Sequence, residues 1–144
     1  MSFRWSAQAT RTVSTVGLSA LLLASAMKHF RTPKFYYPVV PDYLCRRDEP
    51  GNRPNGSLAV MSREEWVAAS GLIEATAAVG LLIPATRKAT AEGVTAMFAV
   101  FLAGHIDALR RAYGPNGTTT EKRVHTVRLP LQIPLILWSW SLRK

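Results

Sequence analysis

Of the polar side chains that interrupt otherwise apolar stretches, five are the candidates for chemistry: His29, Glu74, His105, Arg128 and Gln132. Together they offer a carboxylate, two imidazoles, a guanidinium and an amide, a set that can hold a polar head group or move a proton. No second His stands at metal-binding spacing from His105, and neither HExxH nor CxxC occurs, so no metal site is expected. Cys45 is the single cysteine, which excludes an internal disulfide and leaves a thiol–disulfide cycle dependent on a partner thiol. There is no GxSxG, and no Ser or Cys stands beside a His at a recognisable spacing, so no catalytic residue is assigned.

The five candidates lie in stretches that read as helices. Glu74 is eight residues beyond Trp66, which puts it about 12 Å along its helix at 1.5 Å per residue. His105 lies about one turn from the end of the third stretch, Arg128 about one turn into the fourth, and Gln132 one further turn along the same face. His29 and Lys28 close the first stretch. All four helices are thus expected to bring polar groups to one half of the molecule. At similar depth, Glu74 and Arg128 are expected to belong to one interacting network, with His105 and Gln132 as hydrogen-bond partners. A polar cavity for a head group, a quinone or a peptide segment is one reading; a structural network that sets helix register is the other.

The elements that must position these residues are four apolar segments, read as helices at about 12–30, 64–84, 88–110 and 123–142. Each approaches the ~20 residues needed to cross the hydrocarbon core of a bilayer. The mean hydropathy is only +0.06, but charge is concentrated between the segments. A soluble bundle requires a polar stripe on each helix, and WVAASGLIEATAAVGLLIPA carries only Glu74. The expectation is an all-α fold: one domain over 1–144, an integral membrane four-helix bundle with a long Pro-rich loop between helices 1 and 2. Ala24-Ser25-Ala26 has the form of a signal-peptidase site, but the first segment is read as a membrane helix. Arg4, Arg11, Arg87, Lys88, Arg143 and Lys144 flank the segments.

The linkers differ in kind. Pro33, Pro38 and Pro41 forbid a continuous helix through PKFYYPVVPDYL, which reads as an ordered, turning segment. RRDEPGNRPNG reads as a polar loop. Ser62 with Glu65 forms a capping box that starts the second helix, and Pro84 stops it. Pro130 and Pro134 remove two backbone donors from the fourth helix and are expected to kink it. Four spans put both termini on one side. Counting Lys and Arg alone puts the long loop in the cytoplasm.

The chain has 18 Lys+Arg against 9 Asp+Glu, a formal charge of +9. Most of the basic residues flank the apolar segments, so anionic lipid is the expected counter-charge, and nucleic acid is not expected as a partner. Arg outnumbers Lys 13 to 5 and Ala is abundant, a usage that suggests a GC-rich bacterial source.

KHFRTPKFYYPVVPDYL, SGLIEATAAVGLLIPATRKA, GHIDALRRA and VRLPLQIPLILW together resemble the DoxX-like small membrane proteins, from about Lys28 to Trp138. The most specific parts are Gly-x-x-Glu at Gly71–Glu74, Leu-Ile-Pro before Arg87, and Arg-x-Pro-x-Gln at Arg128–Gln132. The resemblance implies a four-helix membrane bundle in the bacterial inner membrane, with cytoplasmic termini and an external loop, against the count of basic residues. It also implies subunits of membrane oxidoreductase systems or assembly chaperones. The leading expectation is a non-catalytic accessory or assembly subunit, with membrane lipid and other membrane subunits, or further copies of the chain, as partners. The alternative is a quinone- or lipid-binding subunit of a membrane oxidoreductase, with Glu74, His105, Arg128 and Gln132 lining the pocket and no other cofactor.

Overall fold

The computed structural model describes residues 6–46 and 57–144. Arg4 and the polar loop read from Arg47 onward lie outside the described residues. Among the described residues four α-helices make up the fold: α1 (Ala7–Arg31), α2 (Arg63–Leu82), α3 (Arg87–Ala112) and α4 (Thr119–Ser141). Among the described residues the only β feature is an isolated bridge between Cys45 and Met61.

The starts of α1, α2 and α4 follow from side-chain caps. Ser62 accepts from the Glu65 amide at 3.2 Å, and the Glu65 carboxylate reaches back to the Ser62 amide at 3.4 Å, the expected capping box. Thr118 and Glu121 form a second box, at 3.2 and 2.9 Å, that starts α4 four residues before the expected boundary. Ser6 caps α1 and starts it at Ala7 rather than near Thr12. Between α2 and α3 the chain turns tightly. There the Thr86 hydroxyl donates to the Gly80 carbonyl at 2.8 Å and Arg87 Nε to the Leu81 carbonyl at 2.9 Å. α4 runs unbroken through Pro130 and Pro134.

Each helix packs against the next, most extensively α1 on α2 and α3 on α4. The ring closes where Trp138 Nε1 donates to the Ser14 hydroxyl at 2.8 Å, bringing the start of α1 to the end of α4. Both ends of the described chain therefore lie at one end of the bundle. The core there is Leu18, Leu22, Ala78, Leu81, Ala91, Val94, Phe98 and Leu142. Small residues permit the contacts: a Cβ on Gly71 would lie 2.9 Å from His29 Cβ.

The outward surface inverts the usual order. Leu72, Val79, Val100, Val127, Ile133 and Leu137 are all more than half exposed. Helices α1, α2 and α3 are long and apolar enough to cross a membrane, and a third or less of each apolar stretch is buried in the molecule. The fourth expected span falls short by composition, because His125, Arg128, Gln132 and two prolines dilute its apolar residues.

Candidate functional site

Beyond that core, from Leu22 and Phe98 toward the Pro-rich segment, the four helices line a half-open cavity of about 670 Å³. Its size falls within the ~300–1,000 Å³ of small-molecule sites. All five sequence candidates, His29, Glu74, His105, Arg128 and Gln132, line it. The remaining wall is largely apolar, with Leu21, Ile73, Met97, Phe101, Leu131 and Leu135 among its side chains.

The polar residues form two groups. The first is built by α1, α2 and the Pro-rich segment. His29 is buried a little over half a turn inside α1, and its Nδ1 lies 2.8 Å from the Ser25 carbonyl. A carbonyl only accepts, so Nδ1 carries the proton and directs it there. The same nitrogen lies 3.3 Å from Glu74 Oε2. Because the proton points at Ser25, the contact with Glu74 is ionic in distance without being a hydrogen bond, and Glu74 Oε2 stays buried with no hydrogen-bond partner. Tyr36 stacks on the His29 ring with centroids 3.6 Å apart, and its hydroxyl lies 3.3 Å from the Ser25 hydroxyl. Burial raises the Tyr36 phenol above its ordinary value, and its hydrogen bonding with Ser25 partly offsets this.

The second group comes from α3 and α4. Gln132 is buried and donates to the Phe98 carbonyl at 3.3 Å. His105 is buried, and its Nδ1 has no partner. The Arg128 guanidinium lies over the Phe35 ring, 4.5 Å from its centre. Glu74 and Arg128, expected to belong to one network, line the same cavity but form no direct ion pair: Arg128 is paired with no carboxylate among the described residues, and Glu74 is next to His29. Helical rise gives depth but not the direction a side chain takes, and Phe35 and His29 claim the two groups separately.

The Pro-rich segment closes the end of the cavity. It forms three short 3-10 turns, Pro33–Phe35, Tyr37–Val39 and Asp42–Leu44. Arg63 of α2 donates to the Tyr37 carbonyl at 2.9 Å and pairs with Asp42. Arg111 of α3 donates to the Pro38 carbonyl and is held from below by Asp107 at 2.9 Å. Trp66 Nε1 donates to the Leu44 carbonyl. Val39 sits so close to α3 that any Cβ at position 104 would strike its carbonyl, which explains Gly104. Phe35, Tyr36 and Ser25 were not among the sequence candidates. Only the density of aromatics between prolines pointed to the first two.

Among the described residues no cluster of His, Cys, Asp and Glu is arranged to hold a metal ion. The cavity can therefore be described as an apolar pocket with a proton-bearing group on one wall and a cation with hydrogen-bond donors on the other. No curated protein and no solved structure matches the chain. The model of one family, described as a domain of unknown function (DUF8561), matches residues 18–143, and the chain belongs to that family.

Proposed function

We propose that the protein is an integral inner-membrane protein that binds an amphipathic ligand, a quinone or a lipid, in the cavity between its four helices. The observation that carries this reading is the convergence of five polar side chains from all four helices on one apolar-walled cavity. Such residues are costly at membrane depth, about 2.5–3.5 kcal/mol for a charged side chain at the centre. The stacking of Arg128 on Phe35 returns only ~0.5–2 kcal/mol. A bound head group supplies the missing compensation.

The apolar outer faces support insertion, since a contiguous exposed apolar surface of this extent marks a lipid or protein contact. α4 is assigned as a fourth span despite its composition. It packs along α3 from the Tyr113–Thr126 contact at one end to the 2.9 Å Thr95–Ser139 contact at the other. Cytoplasmic termini, an external Pro-rich segment and kinship with the DoxX-like proteins belong to the same proposal. An accessory subunit would use the same outer faces, but it gives no role to an apolar cavity with unpartnered polar groups, so ligand binding is the preferred reading.

Purification in mild detergent followed by native mass spectrometry tests it. The expected spectrum shows the chain carrying a small apolar molecule that is released on denaturation. Recovery of stoichiometric protein subunits with no retained small molecule would favour the accessory role instead.

A further inference from the structure

The polar end of the cavity is unevenly charged. Arg128, in the cavity wall, lies over the Phe35 ring at 4.5 Å from its centre, and the exposed Lys28, outside the lining, approaches the same ring with Nζ 3.5 Å from the centre. Neither cation has a carboxylate partner among the described residues. Stacking occupies a face of the guanidinium and leaves its N–H edge available. His105, 8% exposed, lines the same cavity, and its Nδ1 has no partner. The one acid of the cavity, Glu74, is beside His29 and forms no ion pair with Arg128. A neutral carbonyl would satisfy donors here but leave the charge unmatched. An oxyanion satisfies both, and charge-assisted pairs with Arg are the strong ones.

Building on the amphiphile-binding reading, we infer that the ligand is an acidic single-chain amphiphile. Its oxyanion head pairs with Arg128 near His105, and its chain lies along Met97, Phe101, Leu131 and Leu135. The cavity of about 670 Å³, within the ~300–1,000 Å³ of small-molecule sites, has room for one chain and its head. The head chemistry is that of a carboxylate or a phosphate monoester.

The test is equilibrium binding to the purified full chain in neutral detergent, with palmitate, lysophosphatidate, methyl palmitate and decylubiquinone as probes. The account predicts that palmitate or lysophosphatidate binds with one site per chain. Which of the two binds more tightly identifies the head. Methyl palmitate should bind at least about tenfold more weakly than the preferred acid, the loss expected for a charged hydrogen bond. Arg128→Gln should erase that preference, and Arg128→Lys should keep it at reduced affinity. The comparison of acid with ester on the unsubstituted protein decides the matter even where a variant fails to accumulate. Equal affinity for acid and ester, or binding of decylubiquinone alone, would overturn the acidic assignment and leave the amphiphile site standing. Binding of none of the four would overturn both.

Discussion

The two ends of the bundle treat their polar groups in opposite ways. At the end shared by the termini, Ser19 donates to the Ala78 carbonyl at 2.7 Å, Thr95 and Ser139 share a hydrogen bond at 2.9 Å, and Trp138 reaches Ser14. These links tie helix to helix around a filled core, and the buried atom left without a partner is Arg143 Nε, beside Trp140. At the other end, Glu74 Oε2, His105 Nδ1 and His125 Nδ1 are buried without partners, and Arg128 has no counter-ion among the described residues; of these four, all but His125 line the cavity. A buried polar group left unsatisfied costs about 1–3 kcal/mol. Helix-to-helix hydrogen bonds mark the end that maintains the fold, while two of the unpartnered buried atoms, on Glu74 and His105, belong to residues that line the cavity on which the ligand proposal rests.

The largest expected effect belongs to the filled end. Leu81 is fully buried, and Leu81→Ala should lower unfolding stability in detergent by about 2–5 kcal/mol while leaving ligand affinity in place. The converse substitution sharpens the contrast. Glu74→Leu should leave stability unchanged or raise it by about 1–3 kcal/mol, because it removes the buried Oε2 that has no hydrogen-bond partner while His29 keeps its bond to Ser25. Ligand retention should fall in the same variant. A thermal melt and a retention assay on both variants make the comparison, and a strongly destabilised Glu74→Leu would make Glu74 a structural residue.

Next in size is the clamp over the cavity. Arg63→Ala removes the bonds to the Tyr37 carbonyl and Asp42 and should cost about 1–3 kcal/mol. Amide exchange should quicken across residues 33–44 and remain slow in the core of α2 and α3. Uniform exchange changes would mean that the segment is not a separate unit.

Pairwise coupling is smaller. A double-mutant cycle on His29 and Glu74 should give about 0.5–3 kcal/mol, as for residues in contact. The cycle on Glu74 and Arg128 should give less than about 0.5 kcal/mol, as for residues that do not interact directly. The reverse order would restore the pairing that helix depth alone suggests. The smallest effect is expected at Cys45, half-buried with its thiol 3.4 Å from the Pro41 carbonyl. Cys45→Ser should change stability by no more than about 0.5 kcal/mol. Labelling of the native thiol by a membrane-impermeant reagent on intact cells would place the Pro-rich segment outside the cytoplasm. Labelling only after permeabilisation would reverse the topology.

Much of the site was legible because apolar helices make their polar exceptions conspicuous. His29, Glu74, His105, Arg128 and Gln132 stand out against their neighbours, and rise per residue places them at one end. What the sequence did not disclose was direction. Arg128 lies over Phe35 because the Pro-rich segment folds back over the cavity, gripped by Arg63 and Arg111 at the carbonyls of Tyr37 and Pro38, and Glu74 lies beside His29 where α1 packs on α2. Such side-chain-to-carbonyl bonds leave no periodic trace in a sequence. The early starts of α1 and α4 were legible in principle from Ser6 and from Thr118 with Glu121. The polar residues that follow these caps hid them from a reading based on hydropathy.

Photoaffinity labelling with a diazirine-bearing fatty acid in native membranes, followed by peptide mapping, tests the central claim most directly. The account predicts saturable labelling confined to the cavity walls, at positions such as Met97, Phe101, Leu131 and Leu135, competed by unlabelled acid and lost in Arg128→Gln. Labelling spread without saturation over the outward faces of all four helices, at Val79, Ile133 and Leu137, would contradict it, because that is the pattern of bulk lipid around a bundle with no ligand inside.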